Sequence, residues 1–220
     1  MTAFSPSSAH FSSKKSLKWL LLLLPVLLNL QCTDPRTVTT LIRLATSVVH
    51  LVETFSKDSD LFSKRVAEVS GVATSSLNAN EEVTKVAKFW ENQWQDIHSR
   101  YDNLKSVLQE IGVKTAEYFQ EMESNNAQIN NVELKKKDAE RTAVLRTRWE
   151  QEYQSAATSL ANTEPVLRDG DDFMYLLRNE VLRSTVTDAI PSLGQISKQA
   201  EMLSVNIKSF EKSAKTIFTI

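Results

Sequence analysis

The fold is decided by residues 83–122, which read VTKVAKFWENQWQDIHSRYDNLKSVLQEIGVKTAEYFQEM. Apolar side chains recur there every seven residues, and a second row follows the first at a distance of four residues. Alternating steps of three and four residues place both rows on one side of an α-helix, as in the heptad seam of a coiled coil. Only Thr115 interrupts the second row. The rows are Val83, Trp90, Ile97, Leu104, Ile111 and Tyr118, with Ala87, Trp94, Tyr101, Leu108 and Met122 between them.

The same spacing continues on both sides of this stretch. It predicts one helix, or two stacked helices, over residues 38–73 with polar Ser59 in the seam, a charged helix over 134–161 and a helix over 182–217. The seam positions are Val38, Leu41, Ala45, Val48, Val52, Phe55, Phe62, Val66, Val69 and Ala73; Leu145, Trp149, Ala156 and Leu160; and Leu182, Val186, Ala189, Leu193, Ile196, Ala200, Leu203, Ile207, Phe210, Ala214 and Ile217.

Breaks in the spacing predict the connections between helices. Residues 74–80 are expected to form a turn whose last residue, Asn80, caps the next helix. A helix end or kink is expected within 124–131, and irregular structure at 164–165 and 168–172 (RDGDD). Pro191 removes one backbone hydrogen bond, so it predicts a kink or a fresh helix start.

Composition agrees with an all-helical chain. Four Gly and five Pro among 220 residues are too few for a turn-rich β architecture. Long helices with one apolar side must fold back on each other to bury it. The sequence therefore predicts an all-α fold for residues 37–220, an elongated antiparallel coiled-coil bundle of three or four long helices.

The first 31 residues are predicted to be a signal peptide that is removed. A polar segment with three lysines precedes the apolar run at 19–30, WLLLLLPVLLNL. Twelve residues are too few to span a bilayer as a helix but suit the core of an export signal. Pro25 within the run also disfavours a permanent membrane helix.

Cys32 follows the apolar run directly, where a bacterial lipoprotein signal carries the cysteine that receives lipid. We interpret it as the lipidation site, with 32–36 as a short linker and Pro35 suited to a helix start. Gln31 and Asn29 depart from the usual lipobox residues, so ordinary cleavage nearby is the alternative. The predicted location is the periplasm, membrane-anchored by lipid, or secretion if Cys32 is not lipidated; which membrane is left open.

No constellation of residues predicts catalysis, a cofactor or a metal. The sequence has one Cys, and neither His50 nor His98 has a partner at ligand spacing. The run at 169–172 (DGDD) lacks the length and closing Glu of an EF-hand loop, so an exposed turn is favoured over a cation site. Trp90, Trp94, Tyr101 and Trp149 lie on seams, which favours core over a ligand-stacking box.

The charge of the chain gives no reason to expect a nucleic-acid partner. From residue 32 onward there are 23 basic and 27 acidic residues, a net charge of −4, without a clustered basic face. The one basic concentration, around Lys135, Lys136 and Lys137, is interspersed with acids. A solvated, ion-paired face is therefore favoured over a patch for anionic lipid.

Several short sequences between Tyr101 and the C-terminus carry a resemblance. They are Phe119-Gln120-Glu121, Asp138-Ala139-Glu140-Arg141, Arg148-Trp149, Pro165-Val166-Leu167 and Tyr175-Leu176-Leu177-Arg178-Asn179, followed by the terminal heptads ending in Ile220. On these the chain resembles an uncharacterised family of proteobacterial coiled-coil lipoproteins, a domain of unknown function. The family reads Tyr-Leu-Lys-His-Asn where this chain has Leu177 and Arg178 in the Lys and His positions.

The resemblance implies export, a coiled-coil body and a lipid anchor, and it implies no known activity. Asn179 is retained, and at a seam position it would fix the register of the helices. The first functional hypothesis is an envelope structural or interaction protein that presents helical faces to a protein partner or to another copy. The alternative is a membrane-active helical protein that inserts into or remodels bilayers. An enzyme or metal-binding module ranks last.

Overall fold

The computed structural model describes residues 35–180 and 190–218, which contain five α-helices and no strand. The all-α prediction is confirmed. Four helices are long, as predicted, and a fifth of 17 residues is additional. The leader, Cys32 and the seam positions Leu182, Val186 and Ala189 lie outside the described residues. The helices are α1 (Pro35–Asn78), α2 (Val83–Ala127), α3 (Val132–Ala161), α4 (Glu164–Glu180) and α5 (Ile190–Phe218).

Three prolines each lie in the first turn of a helix. Pro35 begins α1, while Pro165 and Pro191 are the second residues of α4 and α5. The first backbone N–H groups of a helix have no acceptor within it, so a proline there costs no hydrogen bond. Pro191 lies in the first described turn of α5, and the residues before Ile190, on which the predicted kink or fresh helix start depends, lie outside the described residues.

A tight turn joins α1 to α2, and it ends α1 with a Schellman motif. The N–H of Glu81 donates to the carbonyl of Ser76 at 3.0 Å, and that of Asn80 donates to Leu77 at 3.1 Å. Asn80 has a φ of 53°, the left-handed conformation that this motif requires. The prediction that Asn80 caps α2 is therefore wrong. Glu82 precedes α2 and makes no side-chain cap bond.

Irregular structure was expected at residues 164–165 and 168–172, and this prediction is wrong. The RDGDD run lies inside α4, and the break between α3 and α4 is confined to Asn162 and Thr163. Val166, Gly170, Phe173 and Leu177 are all buried at steps of four, three and four residues. Gly170 thus occupies a seam position of α4, and the packing of that seam outweighs the low helix propensity of glycine.

Within residues 41–218 the helices pack in antiparallel pairs. α1 contacts α2 and α5 through ring contacts and ion pairs. The C-terminal part of α2 packs against α3, and its N-terminal part packs against α4. Both α3 and α4 also contact α5. Interhelical pairs fix the directions. They are Asp58–Asn103 (3.2 Å) and Arg65–Asp96 (3.3 Å) between α1 and α2, Glu53–Lys215 (2.8 Å) and Asp60–Lys208 (3.3 Å) between α1 and α5, and Leu108–Tyr153 (3.1 Å) and Glu123–Arg146 (2.8 Å) between α2 and α3.

The predicted seams form the core of this bundle. Every described seam position of α5 is buried, as are nearly all of those in α1 and α2. The polar members are accommodated by bonds within their own helix, since Ser59 and Thr115 donate to the carbonyls four residues earlier at 2.8 and 2.6 Å. Two positions depart from prediction. Val38 is 45% exposed, and Asn179 is exposed because it lies two residues beyond the buried Leu177, on another face of α4.

Gly71→Ala is expected to stabilise the protein by about 0.5–1 kcal/mol. Gly71 is an exposed position inside α1, and an added Cβ would meet no atom within 4 Å. Alanine restricts the unfolded chain and favours the helix without a steric cost. Urea unfolding of both proteins should show a higher midpoint for the variant at unchanged slope. A lower midpoint would contradict an unstrained helical conformation at this position.

Candidate functional site

The predicted lipidation site, Cys32, lies outside the described residues, as does the predicted signal peptide at 1–31. The closest described residue is Pro35, the first of α1. The lipid anchor and the site of cleavage therefore stay predictions. The remaining sequence candidates lie in the described residues, where their surroundings can be compared with expectation.

Trp90 and Trp94 of α2 form a stacked pair against α4. Their ring centroids are 4.7 Å apart with an interplanar angle of 13°, and Phe173 covers Trp90 edge-on at 4.5 Å. The indole N–H of Trp90 donates to the carbonyl of Gly170 at 2.9 Å, and that of Trp94 donates to Leu167 at 3.3 Å. Both indoles are buried with satisfied donors, so they join α2 to α4 and leave no open face for a ligand.

The other two aromatic candidates are core residues elsewhere in the bundle. Tyr101 is buried beside Phe62 of α1, with ring centroids 6.3 Å apart. Trp149 of α3 contacts Phe210 and Phe218 of α5 at 5.2 and 4.8 Å. The prediction that these four aromatic residues belong to the core is confirmed, since all four side chains are buried.

Polar pairs flank the tryptophan stack at the surface. His98 Nε2 lies 2.9 Å from a carboxylate oxygen of Asp171, and Arg178 lies 2.8 Å from Glu91. Asp171 belongs to the acidic run that was considered for a cation. Within residues 35–180 and 190–218, no group of three or more His, Cys, Asp or Glu side chains is placed to hold a metal ion. His50, the other histidine considered as a metal ligand, is exposed on α1.

The basic run at the start of α3 is ion-paired, as predicted. Lys136 lies 4.0 Å from Glu140, and Lys137 lies 3.4 Å from Glu133. Lys135 instead donates to the carbonyl of Ala127 at the end of α2, at 2.9 Å. Exposed pairs of this kind contribute little stability, but they leave only a small excess of positive charge.

A shallow apolar groove between α2 and α3 was not predicted from the sequence. Two adjoining cavities of about 320 and 260 Å³ open there, and Arg146 lines both. Phe119, Trp149 and Tyr153 line the first. Thr142 lines the second, and its hydroxyl has no hydrogen-bond partner among the described residues. The groove arises from long-range packing of α3 on α2, which no local spacing reveals.

The Tyr101 hydroxyl donates to the carbonyl of Leu160 at 3.2 Å. Burial, together with the negative charge of Glu164, raises the pKa of Tyr101 to about 12 from its ordinary value of about 10. Because the pKa is higher in the folded state, the unfolded chain loses the hydroxyl proton of Tyr101 at a lower pH than the folded protein does. The stabilisation is thus complete below about pH 10 and is lost as the pH rises toward about 12.

Tyr101→Phe is accordingly expected to flatten the loss of stability at alkaline pH. The variant should lose about 1 kcal/mol at neutral pH through the missing hydrogen bond. Burial also raises the pKa of Tyr118 and Tyr153, so the alkaline slope should shrink rather than vanish. Urea unfolding of both proteins between about pH 8 and 11 measures how the free energy of unfolding changes with pH. Parallel curves for the two proteins would contradict the role given to Tyr101.

One stretch of the described residues, Val38–Asn78, is long and apolar enough to cross a membrane by length and composition. Its seam side chains Phe55, Phe62 and Val66 are fully buried in the bundle. The core helix of a soluble bundle satisfies the same test, so composition alone does not distinguish a membrane-spanning helix from a buried core helix.

Comparison with family models, with curated proteins and with solved structures gave no match. The resemblance to the family of coiled-coil lipoproteins therefore stays a prediction.

Proposed function

We propose that this chain is an exported bacterial lipoprotein whose helical bundle serves in the cell envelope as a structural or protein-interaction module. The observation that carries the proposal is the position of Cys32. It ends an apolar export signal and stands three residues before Pro35, where α1 begins. A lipid on Cys32 would tether the folded part to a membrane through a very short linker. The proposal includes no catalytic role.

The packing supports an interaction role through outer faces rather than through the seams. The seams are buried within the chain's own bundle, so partner binding does not require it to open. Large apolar side chains remain exposed outside the core and offer contacts to a protein partner or a second copy. They include Val113, Val144, Tyr175, Leu176, Met202 and Val205.

Cys32→Ser is expected to move the protein from the membrane fraction to the soluble fraction. Serine cannot form the thioether to the lipid, and the acyl chains supply the membrane affinity. Membranes from expressing cells would be extracted with high salt and with carbonate, and the mature N-terminus would be examined by mass spectrometry. Thr33→Ser, one residue further on, is the matched control and should stay in the membrane. A Cys32→Ser protein that resists both extractions would refute the lipid anchor.

A second candidate is a membrane-active protein that inserts helices into bilayers, and the apolar composition of α1 is the observation that favours it. Insertion would require the fully buried seam of α1, with Phe55 and Phe62, to leave the core. Leakage of vesicle contents caused by the Cys32→Ser protein would support this candidate. Vesicles that stay intact in its presence would leave the interaction module as the function.

A further inference from the structure

The connection between α2 and α3 ends the bundle in an exposed apolar tip. We name residues 128–134 the α2–α3 tip. Val132 is 82% exposed, the largest fraction among the large apolar side chains of the described residues, and Leu134 is 58% exposed. The Asn131 side chain accepts a hydrogen bond from the Leu134 N–H at 3.0 Å, which caps α3. Lys135 closes the end of α2 from the other side. The tip is thus an ordered feature that presents apolar side chains outward.

The antiparallel pairing of α1 and α2 places this tip at the Leu41 end of the bundle. Asp58 of α1 lies beside Asn103 of α2. Moving about 17 residues along each helix from that pair reaches Leu41 on α1 and Gln120 on α2, since both helices rise equally per residue. The tip begins about eight residues beyond Gln120, so it projects roughly 12 Å past the level of Leu41.

The length of the N-terminal chain limits how far Cys32 is from the bundle. Cys32 precedes Leu41 by nine residues. Even a fully extended chain of that length reaches only about 30 Å. A lipid on Cys32 therefore keeps the Leu41 end of the bundle close to the bilayer, and the tip is the described part of that end that carries the most exposed apolar side chain.

The charges near the tip favour an apolar contact over an electrostatic one. Lys136 and Lys137 are paired with Glu140 and Glu133. The remaining excess of positive charge is small, so strong attraction to anionic headgroups is not expected. Valine and leucine side chains that enter the boundary between headgroups and acyl chains gain free energy without any charge.

We propose that the α2–α3 tip contacts the surface of the lipid bilayer, with Val132 and Leu134 entering the headgroup boundary. This inference rests on the proposed lipid anchor at Cys32, which supplies the proximity. The contact gives the tethered bundle a second point of attachment and restricts its orientation, so that the faces of the helices are presented to partners in a fixed way.

The test uses a fluorescent probe on the mature lipoprotein in phosphatidylcholine vesicles. Val132→Cys carries a bimane at the tip, and Val144→Cys is the matched control. Val144 is 71% exposed on the same helix, about 18 Å further along it. Quenching by spin-labelled lipids should be at least twofold stronger at position 132 than at 144, and unchanged by raised salt. Equal quenching at the two positions would overturn the proposal.

A second arrangement separates this inference from the lipid anchor itself. The Cys32→Ser chain, with a hexahistidine tag ahead of residue 32, is held on vesicles that contain a nickel-chelating lipid. The engineered cysteine is then the sole thiol, and the same comparison of positions 132 and 144 applies. Stronger quenching at 132 supports the tip contact even if mass spectrometry finds Cys32 unmodified in cells, an outcome that would refute only the anchor. Equal quenching here would overturn the tip contact even where Cys32 is lipidated.

Discussion

Gly170→Ala is expected to destabilise the bundle by about 3 kcal/mol or more, at the upper end of the range for overpacked cores. A Cβ built on Gly170 would lie 1.8 Å from Cζ2 of Trp94, deep inside the contact distance of two carbons. The indole cannot swing aside easily, because it is buried and stacked on Trp90. α4 must therefore move away from α2, which also lengthens the hydrogen bonds from the two indoles to α4.

Thermal and urea unfolding would measure this loss, and a decrease of roughly 10 °C in the midpoint is expected for a chain of this size. Gly71→Ala is the matched control, because it makes the same change in an open helical position and should stabilise. A third variant, Gly170→Ala with Trp94→Leu, removes the clashing ring. It should be more stable than the sum of the single effects predicts. A Gly170→Ala protein as stable as the parent would contradict the close approach of α4 to α2.

Gly170 also shows where sequence reasoning succeeded and where it stopped. The steps Val166, Gly170, Phe173 and Leu177 continue the same alternation of three and four that correctly predicted α1, α2 and the described part of α5. Glycine is read as a helix breaker by its propensity, and the flanking aspartates suggest a turn. The partner that favours glycine is Trp94, 76 residues earlier in the chain, so its effect does not appear in any local window.

The seams were predictable because burial in a bundle repeats with the helical period, and the period is written in the sequence. Connections were less predictable. Asn80 was expected to begin a helix, and it ends one, because asparagine suits both an N-cap and a left-handed C-terminal position. The α2–α3 groove and the exposure of Val132 depend on which helices become neighbours. Heptad spacing predicts that a helix packs against other helices, but it does not predict which ones.

Phe210→Ala is expected to cost about 3–5 kcal/mol, the range for deleting a fully buried aromatic ring. Phe210 lies on α5 and is 2% exposed. Its ring meets Phe55 of α1 edge-on at 6.4 Å and Trp149 of α3 at 5.2 Å, so one side chain holds three helices together. Alanine would leave a cavity that the stiff neighbouring rings cannot fill.

Met202→Ala is the matched control for Phe210→Ala, since Met202 lies on the same helix but is 58% exposed. It should change the free energy of unfolding by no more than about 0.5 kcal/mol. Phe210→Leu should fall between the two, because leucine refills part of the cavity. Urea unfolding with an unchanged slope gives the free energy of unfolding of all three variants. Equal losses for Phe210→Ala and Met202→Ala would mean that α5 does not pack on α1 and α3 through this ring. Losses of stability that increase in the order Met202→Ala, Phe210→Leu, Phe210→Ala would place the core where the three helices meet.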